Sequence, residues 1–315
     1  MATISTPFLN AAIQNEVGFS YVFAEQAILE RLSDKLNVLP IVQLVGDAAG
    51  TGSDTIRVTN IGGVGYNASF STLAAENSAI TASDITLGYS SVTVANYGLA
   101  FEESYKAAIL TREPAVLIDS LVQTIPDSWA KQLRTLVAAQ IAGFSTSVGS
   151  ASLELSVDDY LDLIAVYREA LGSELPTVVL APKQLSQLVE SFRSEPAFQA
   201  NVTDFAGVQS FNTNQTIPNA FGLGANIHIS DDIQTSGGAY LGGAFSPGGI
   251  GYAVAGTGAL RTANPATSIL IPEFGLVIED IQGTTGTRRV DARAFFGVAS
   301  GSTDVFTFRQ VKSTT

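Results

Sequence analysis

A chain of 315 residues can bury a core in one to three domains, and a hydrophobic share of 46% with 14% charged residues is the composition of a folded protein. Its 16 Lys and Arg against 29 Asp and Glu leave a net charge of −13, which argues against a protein built to grip nucleic acid, because that affinity comes from cations displacing counterions. Cysteine is absent, so no disulfide framework exists and a reducing compartment is favoured; no run of 18 apolar residues is present to span a membrane.

The opening MATISTPFLNAAIQNE has neither a basic n-region nor an apolar h-region, so no secretory signal is read, and the sequons at Asn67, Asn201 and Asn214 are taken as chance matches. Residues 1–15 form a polar arm. Tyr21, Val22, Ile28, Leu29, Leu32 and Leu36 then recur at helical spacing until Pro40. Residues 54–58 alternate as a strand, and residues 86–101 are a longer β-prone run. Between them, residues 62–84 carry only Glu76 and Asp84 as charges. So long an excursion between two strands reads as an extended hairpin arm whose weakly charged tip expects a partner, with a solvent-facing flap as the other option.

Residues 111–144 are the strut of the chain. Ile118, Leu121, Val122, Ile125, Trp129, Leu133, Leu136 and Phe144 make one apolar stripe at 100° per residue, with Asp119, Asp127, Lys131 and Arg134 off it. Thr111 suits an N-cap, Glu113 the positive dipole end and Pro114 a first turn. A continuous helix there would reach about 50 Å, and Pro126 is expected to kink or divide it. The segment STSVGSAS (145–152) reads as a Gly/Ser linker. Ser156 then caps an amphipathic helix with Asp158 and Asp159 in its first turn. Thr177–Ala181 is a short buried-type strand, and Pro182 opens the helix that follows it. With strands at 225–229 and 249–254, these elements suggest an α/β module from about 150 to 265. Last comes a hairpin, in which residues 268–281 pair with 289–299 across GTTGT, and 305–308 add a further strand. In its second strand Val290, Ala292, Ala294, Phe296 and Val298 share one face, which is the best available partner for the long helix.

Catalytic signatures were sought and none was assigned. His228 is the single histidine, in NIHISDD with Ser230 and Asp231 beside it, but strand neighbours rarely give triad geometry and no G-x-S-x-G elbow exists. Asp158, Asp159 and Asp162 lack the D-x-D-x-D-G loop and serve a helix N-terminus and a solvated face. GLGANI (222–227) and GTGALR (256–261) break the dinucleotide pattern at its third glycine, and no phosphate-binding G-x-x-x-x-G-K-[ST] occurs. No catalytic, cofactor-binding or metal-ligating residue is assigned, and the chain is read as no enzyme.

This order of elements resembles the major capsid protein of tailed double-stranded-DNA bacteriophages, the Hong Kong 97-like fold shared with encapsulins. The resemblance implies an α+β fold with an N-terminal arm, an extended β-hairpin E-loop, a long spine helix, a peripheral β-sheet domain and an inserted axial α/β domain. Residues 1–49 are then arm and first helix, 50–101 the E-loop, 102–149 and 266–315 the peripheral domain with its spine helix, and 150–265 the axial domain. TVVLAPKQLSQLV is similar to the axial domain's strand–Pro–helix, NIHISDDI to its next strand, and RRVDARAFFGVAS to a late peripheral strand. The implied function is a subunit that self-assembles through hexamers and pentamers into an icosahedral or prolate virion shell, put together in the host cytoplasm. Its implied partners are a separate scaffolding protein, a portal and a cement protein, around DNA enclosed without sequence-specific binding and with no membrane. The alternatives are an encapsulin-type nanocompartment shell and, more remotely, a β-rich binding protein or hydrolase. Some relatives join subunits by an isopeptide bond from an E-loop lysine. Residues 50–101 contain no Lys, so a shell without covalent links is expected.

Overall fold

The computed structural model describes residues 27–32, 41–59, 89–104, 114–171, 175–194, 225–246, 248–256, 268–282, 287–301 and 308–315. The expected arm (1–15), the hairpin tip (62–84) and the N-cap at Thr111 lie outside the described residues. The fold is α+β, and its described residues fall into two compact units. The first is drawn from within Met1–Ile56, Val92–Gln140 and Tyr252–Ala299, the second from within Arg57–Ser91, Ile141–Gly251 and Ser300–Thr315.

The first unit is a helix laid on an antiparallel sheet. Strand β13 (Thr287–Ser300) is its axis. On one edge β12 (Leu276–Gln282) pairs with it from Leu276↔Ala294 to Gln282↔Arg288. On the other, β4 (Ala95–Ser104) pairs from Phe296↔Ala95 to Thr287↔Ser104. The same β13 residues serve both neighbours, so these lie on opposite sides. The path continues through β11 (Ser268–Ile271) beyond β12, and through β10 (Ile250–Val254) and β1 (Val42–Asp47) at the other end. The expected two-strand hairpin is therefore a three-strand meander: Pro272–Phe274 form a single 3-10 turn that breaks residues 268–281 into β11 and β12. Alternation along β13 follows the expected register only in part. Val290, Ala292, Ala294 and Phe296 are buried, but Val298 of that face is half-buried and Asp291 of the opposite face is buried as well.

Helix α1 (Pro114–Ala142) runs 29 residues, about 43 Å at 1.5 Å per residue. Pro126 sits inside it without dividing it. The ring costs one backbone bond, but Pro126 is itself buried, as are Ile125 and Trp129 on the same helix, and that burial offsets the loss. The buried stripe is Ile125, Trp129, Leu133, Val137 and Ile141, spaced by four; Leu136 is only half-buried. Trp129 is the keystone. Its ring lies 5.1 Å from Phe296, 5.4 Å from Phe274 and 6.4 Å from Tyr252, and its N–H donates to the Phe274 carbonyl at 3.3 Å. The long helix thus does pack on the C-terminal strands, as the sequence suggested. Residues 27–32 are helical, with Ile28 and Leu32 buried and Arg31 reaching Asp127 of α1 at 3.3 Å.

The second unit is a mixed sheet with helices. Its path is β5 (Thr146–Gly149), β14 (Arg309–Thr314), β9 (Ala239–Phe245), β6 (Thr177–Leu180) and β7 (Asn226–Ile229), with β8 (Thr235–Ser236) on β9. Helix α2 (Val157–Leu171) and helix α3 (Pro182–Ser194) supply Tyr160, Leu163, Ile164, Tyr167, Leu185 and Leu188 to its core, against Val178, Leu180, Ile227 and Ala244. The α2 start forms a capping box: Ser156 Oγ accepts from the Asp159 N–H at 3.2 Å, and the Asp159 carboxylate accepts from the Ser156 N–H at 3.1 Å.

Some expectations change here. The segment read as a linker contains β5, because its backbone pairs in parallel with β14 from Thr146↔Arg309 to Gly149↔Lys312, a partner more than 150 residues away. The last described strand is Arg309–Thr314, inside this sheet between β5 and β9, while most of the strand expected at 305–308 lies outside the described residues. The strand at 250–254, grouped by sequence with the α/β module, is hydrogen-bonded into the first unit's sheet. Strand β1 had not been anticipated at all. The glycines of LGGAF are structural: a Cβ on Gly243 would lie 2.5 Å from Ile141 Cγ2, and one on Gly242 2.6 Å from Gln184 Oε1. The close approach of helix end and strand needs both to be bare.

Candidate functional site

The chemistry-bearing residues do not converge. His228 lies on β7 opposite Val179 of β6, half-buried, and its buried Nδ1 has no hydrogen-bond partner. Burial holds its pKa below the ordinary imidazole value. Ser230 turns instead to the local backbone, accepting the Asp232 N–H at 3.3 Å, and Asp231 is exposed. A nucleophile needs its base within hydrogen-bond reach, and this trio does not supply one. Asp159 is committed to the capping box, while Asp158 and Asp162 are exposed on α2. Among the described residues no group of three or more His, Cys, Asp or Glu is placed to hold a metal ion.

One cavity of about 200 Å³ opens in the first unit, beneath the Trp129 turn of α1. Gly98, Leu276, Ala292, Ala294 and Phe296 line it on the sheet side; the Ser128 hydroxyl and the Gln132 amide are its polar groups on the helix side. No acid, base or cation lines it. It arises where small residues on β4 and β13 face a bulky helix.

The surfaces are more informative. β2 (Thr55–Thr59) and β3 (Tyr89–Thr93) form a separate two-stranded ribbon, the described part of the expected hairpin arm. The β-prone run 86–101 is thus two strands, β3 and β4, with Val94 between them. At the ribbon's root the Val94 N–H donates to the Asp54 carbonyl at 2.7 Å, the Thr55 and Thr93 hydroxyls meet at 3.2 Å, and Val92 is fully buried. Among the described residues the large apolar side chains left exposed are Leu44 (51%) on β1 and Leu153 (65%) in the turn before α2. Among the described residues no helix is long and apolar enough to cross a membrane.

No protein-family model matches the chain, and no curated protein sequence matches it. Solved structures do. The chain is similar to the capsid of Ralstonia phage GP4 at 11% identity and TM-score 0.52, covering 87% of this chain and 86% of that one. It is similar to the head structure of Helicobacter pylori bacteriophage KHP40 at 9% identity and TM-score 0.52, over 85% and 87% of the two chains. The mature capsid of bacteriophage PhiM1 gives 10% identity and TM-score 0.51, over 87% and 86%. The fold is that of these phage shell subunits. Identity this low carries over shape and not residues, so the likeness read from element order holds at the level of the fold.

Sequence reasoning passed over the residues that fix the ribbon's root. One signal was available: Gly297 interrupts the apolar run of β13, and a glycine inside a strand marks a bulge or a close backbone approach.

Proposed function

We propose that this protein is the structural subunit of a closed shell, a phage major capsid protein that assembles with copies of itself into rings of five and six. The observation that supports it best is the extent of the likeness: a phage-shell fold over 85–87% of both chains in each comparison. In this reading the first unit, with its spine helix, is the peripheral domain and the second the axial domain, while the chain between β2 and β3 clasps a neighbouring subunit. The shell sits in the virion, is assembled in the host cytoplasm, and works with a scaffolding protein, a portal and a cement protein. No catalytic step is required. A net charge of −13 suits a wall that encloses DNA without adhering to it. With no Lys in residues 50–101, subunits are held by buried area and interlocking arms.

The test is to express the full chain, with scaffold supplied from the same gene neighbourhood, and to image the product by negative-stain microscopy. Closed shells or rings are expected, giving a single band near 32.9 kDa after boiling in detergent. A monomer at every concentration and salt, with no shells in producing cells, overturns the reading. Shells that package a host enzyme and exclude DNA replace it with a nanocompartment.

A further inference from the structure

At the root of the β2–β3 ribbon, backbone passes over backbone. β4 follows β13 as far as the pair Phe296↔Ala95. One step on, the chain leaves the ladder: Val94 belongs to neither strand, and its N–H bonds to Asp54 of the ribbon. At that step β13 presents Gly297. A Cβ there would fall on the Thr93 carbonyl oxygen, 2.8 Å from the Thr93 carbonyl carbon and 3.3 Å from the Val94 Cα. Every one of these is a main-chain atom, so no rotamer change could make room. The rest of the root is packed as well. Val92 is 0% exposed, and Ile56 is in ordinary contact range of β1, where a Cβ on Gly46 would lie 3.4 Å from its Cγ2.

We propose that Gly297 is a positioning residue that seats the ribbon's root: its bare Cα lets Thr93 and Val94 cross directly over β13, and that crossing holds the Val94–Asp54 bond in place. The consequence for assembly rests on the reading of the ribbon as a shell clasp; the geometric claim does not. A root displaced at Thr93 strains the Val94–Asp54 bond while the helix-on-sheet core beneath Trp129 stays as it was.

The experiment compares Gly297→Ala with Gly98→Ala, a control on β4 where an added Cβ meets nothing within 4 Å. Native-state amide exchange and Trp129 emission are followed on the full chain, and shells are counted by microscopy. Gly297→Ala is expected to keep cooperative unfolding and Trp129 emission, to speed exchange of the Val94 amide by about tenfold or more, and to cut shell yield by a similar factor. Gly98→Ala should match the wild type. Unchanged Val94 exchange with normal shells overturns the proposal, and so does loss of the whole fold, which would make Gly297 a core requirement. A second variant, with one glycine inserted between Thr93 and Val94, loosens the root without any Cβ at position 297. It should stay folded and fail to close shells, and normal shells from it overturn the proposal. If the wild type itself forms no shells, the exchange measurements still decide the role of Gly297 while the shell reading fails separately.

Discussion

In the first unit one indole stands among three aromatic rings and gives its only polar atom to the Phe274 carbonyl. In the second, two glutamines on α3 reach into the sheet and hold the strand β14. Gln184 donates to the Val311 carbonyl at 2.9 Å while accepting the Ala181 N–H at 3.1 Å, and Gln187 donates to the Thr314 carbonyl at 3.1 Å while its oxygen lies 3.4 Å from the Leu155 nitrogen. Gln310 of β14 in turn donates to the Ala142 carbonyl at 3.0 Å, satisfying an orphan at the end of α1. The first unit is stabilised by shape and excluded water. The second adds buried amides that specify which strand goes where, because a strand inserted out of register would leave them unpaired. The two units should therefore fail in different ways.

Removing the indole is the largest blow. Trp129→Ala should cost about 3–5 kcal/mol, since a side chain of that size leaves a cavity its neighbours fill only in part, and a cavity already lies beside it. Denaturant unfolding followed by far-UV circular dichroism measures this, because the substitution deletes the sole tryptophan. A cost below about 1 kcal/mol would mean that the ring cluster is not the first unit's core.

Next comes the amide clamp. Gln184→Leu keeps bulk but strands the Ala181 N–H and the Val311 carbonyl, both in a buried setting, at about 1–3 kcal/mol for each unsatisfied group. The expected signature is local: exchange of the β14 amides accelerates while the first unit's α1 amides keep their protection. Equal loss in both units would erase the distinction drawn above.

What the sequence revealed and what it hid follow the same division. Helix α1, the β6–Pro182–α3 turn and the alternation of β13 were legible, because their signals are periodic and local to the segment. Beyond the segment, partners are invisible. STSVGSAS carries no side-chain pattern, and only its pairing with β14 makes β5 a strand. β10 reads the same whether its neighbours are β9 or β13. The strand β1 was marked by β-branched and apolar residues after Pro40, a usable signal left unread. As for the ribbon's root, the crossing at Gly297 required two backbones brought together from about 200 positions apart. The glutamines looked like surface polars of an amphipathic helix, and nothing in the sequence told that both are buried.

A smaller effect belongs to the second unit's helix start. Ser156→Ala removes the acceptor for the Asp159 N–H and leaves the Asp159 carboxylate half of its box, at a cost of about 1 kcal/mol. Thermal unfolding should show a drop of a few degrees, about 4 °C or less for a chain of this size. Asp159→Asn should recover part of it relative to Asp159→Ala, since the amide oxygen can still accept from the Ser156 N–H. Identical losses for the two would mean that the reciprocal bond contributes nothing.

The smallest effect is a pH dependence, and it again separates the units. Burial lowers the pKa of His228 below its ordinary value of 6.5. Between the folded and unfolded values the unfolded chain binds a proton that the folded chain refuses, so stability declines as pH falls below about 6.5 and the decline from this group ends once the folded imidazole is also charged. The orphaned Nδ1 adds to the direction, for protonation would place a second donor where no acceptor stands. Since His228 is the only histidine, and carboxylates titrate lower, His228→Gln should flatten the stability profile between about pH 7.5 and pH 5.5. The ring is only half-buried, which keeps the slope shallow. Because β7 lies in the second unit, the wild-type loss should appear in exchange of the β6 and β7 amides and leave Trp129 emission unmoved. Parallel profiles for wild type and variant across that window would show that the imidazole titrates in the fold as it does in the open chain.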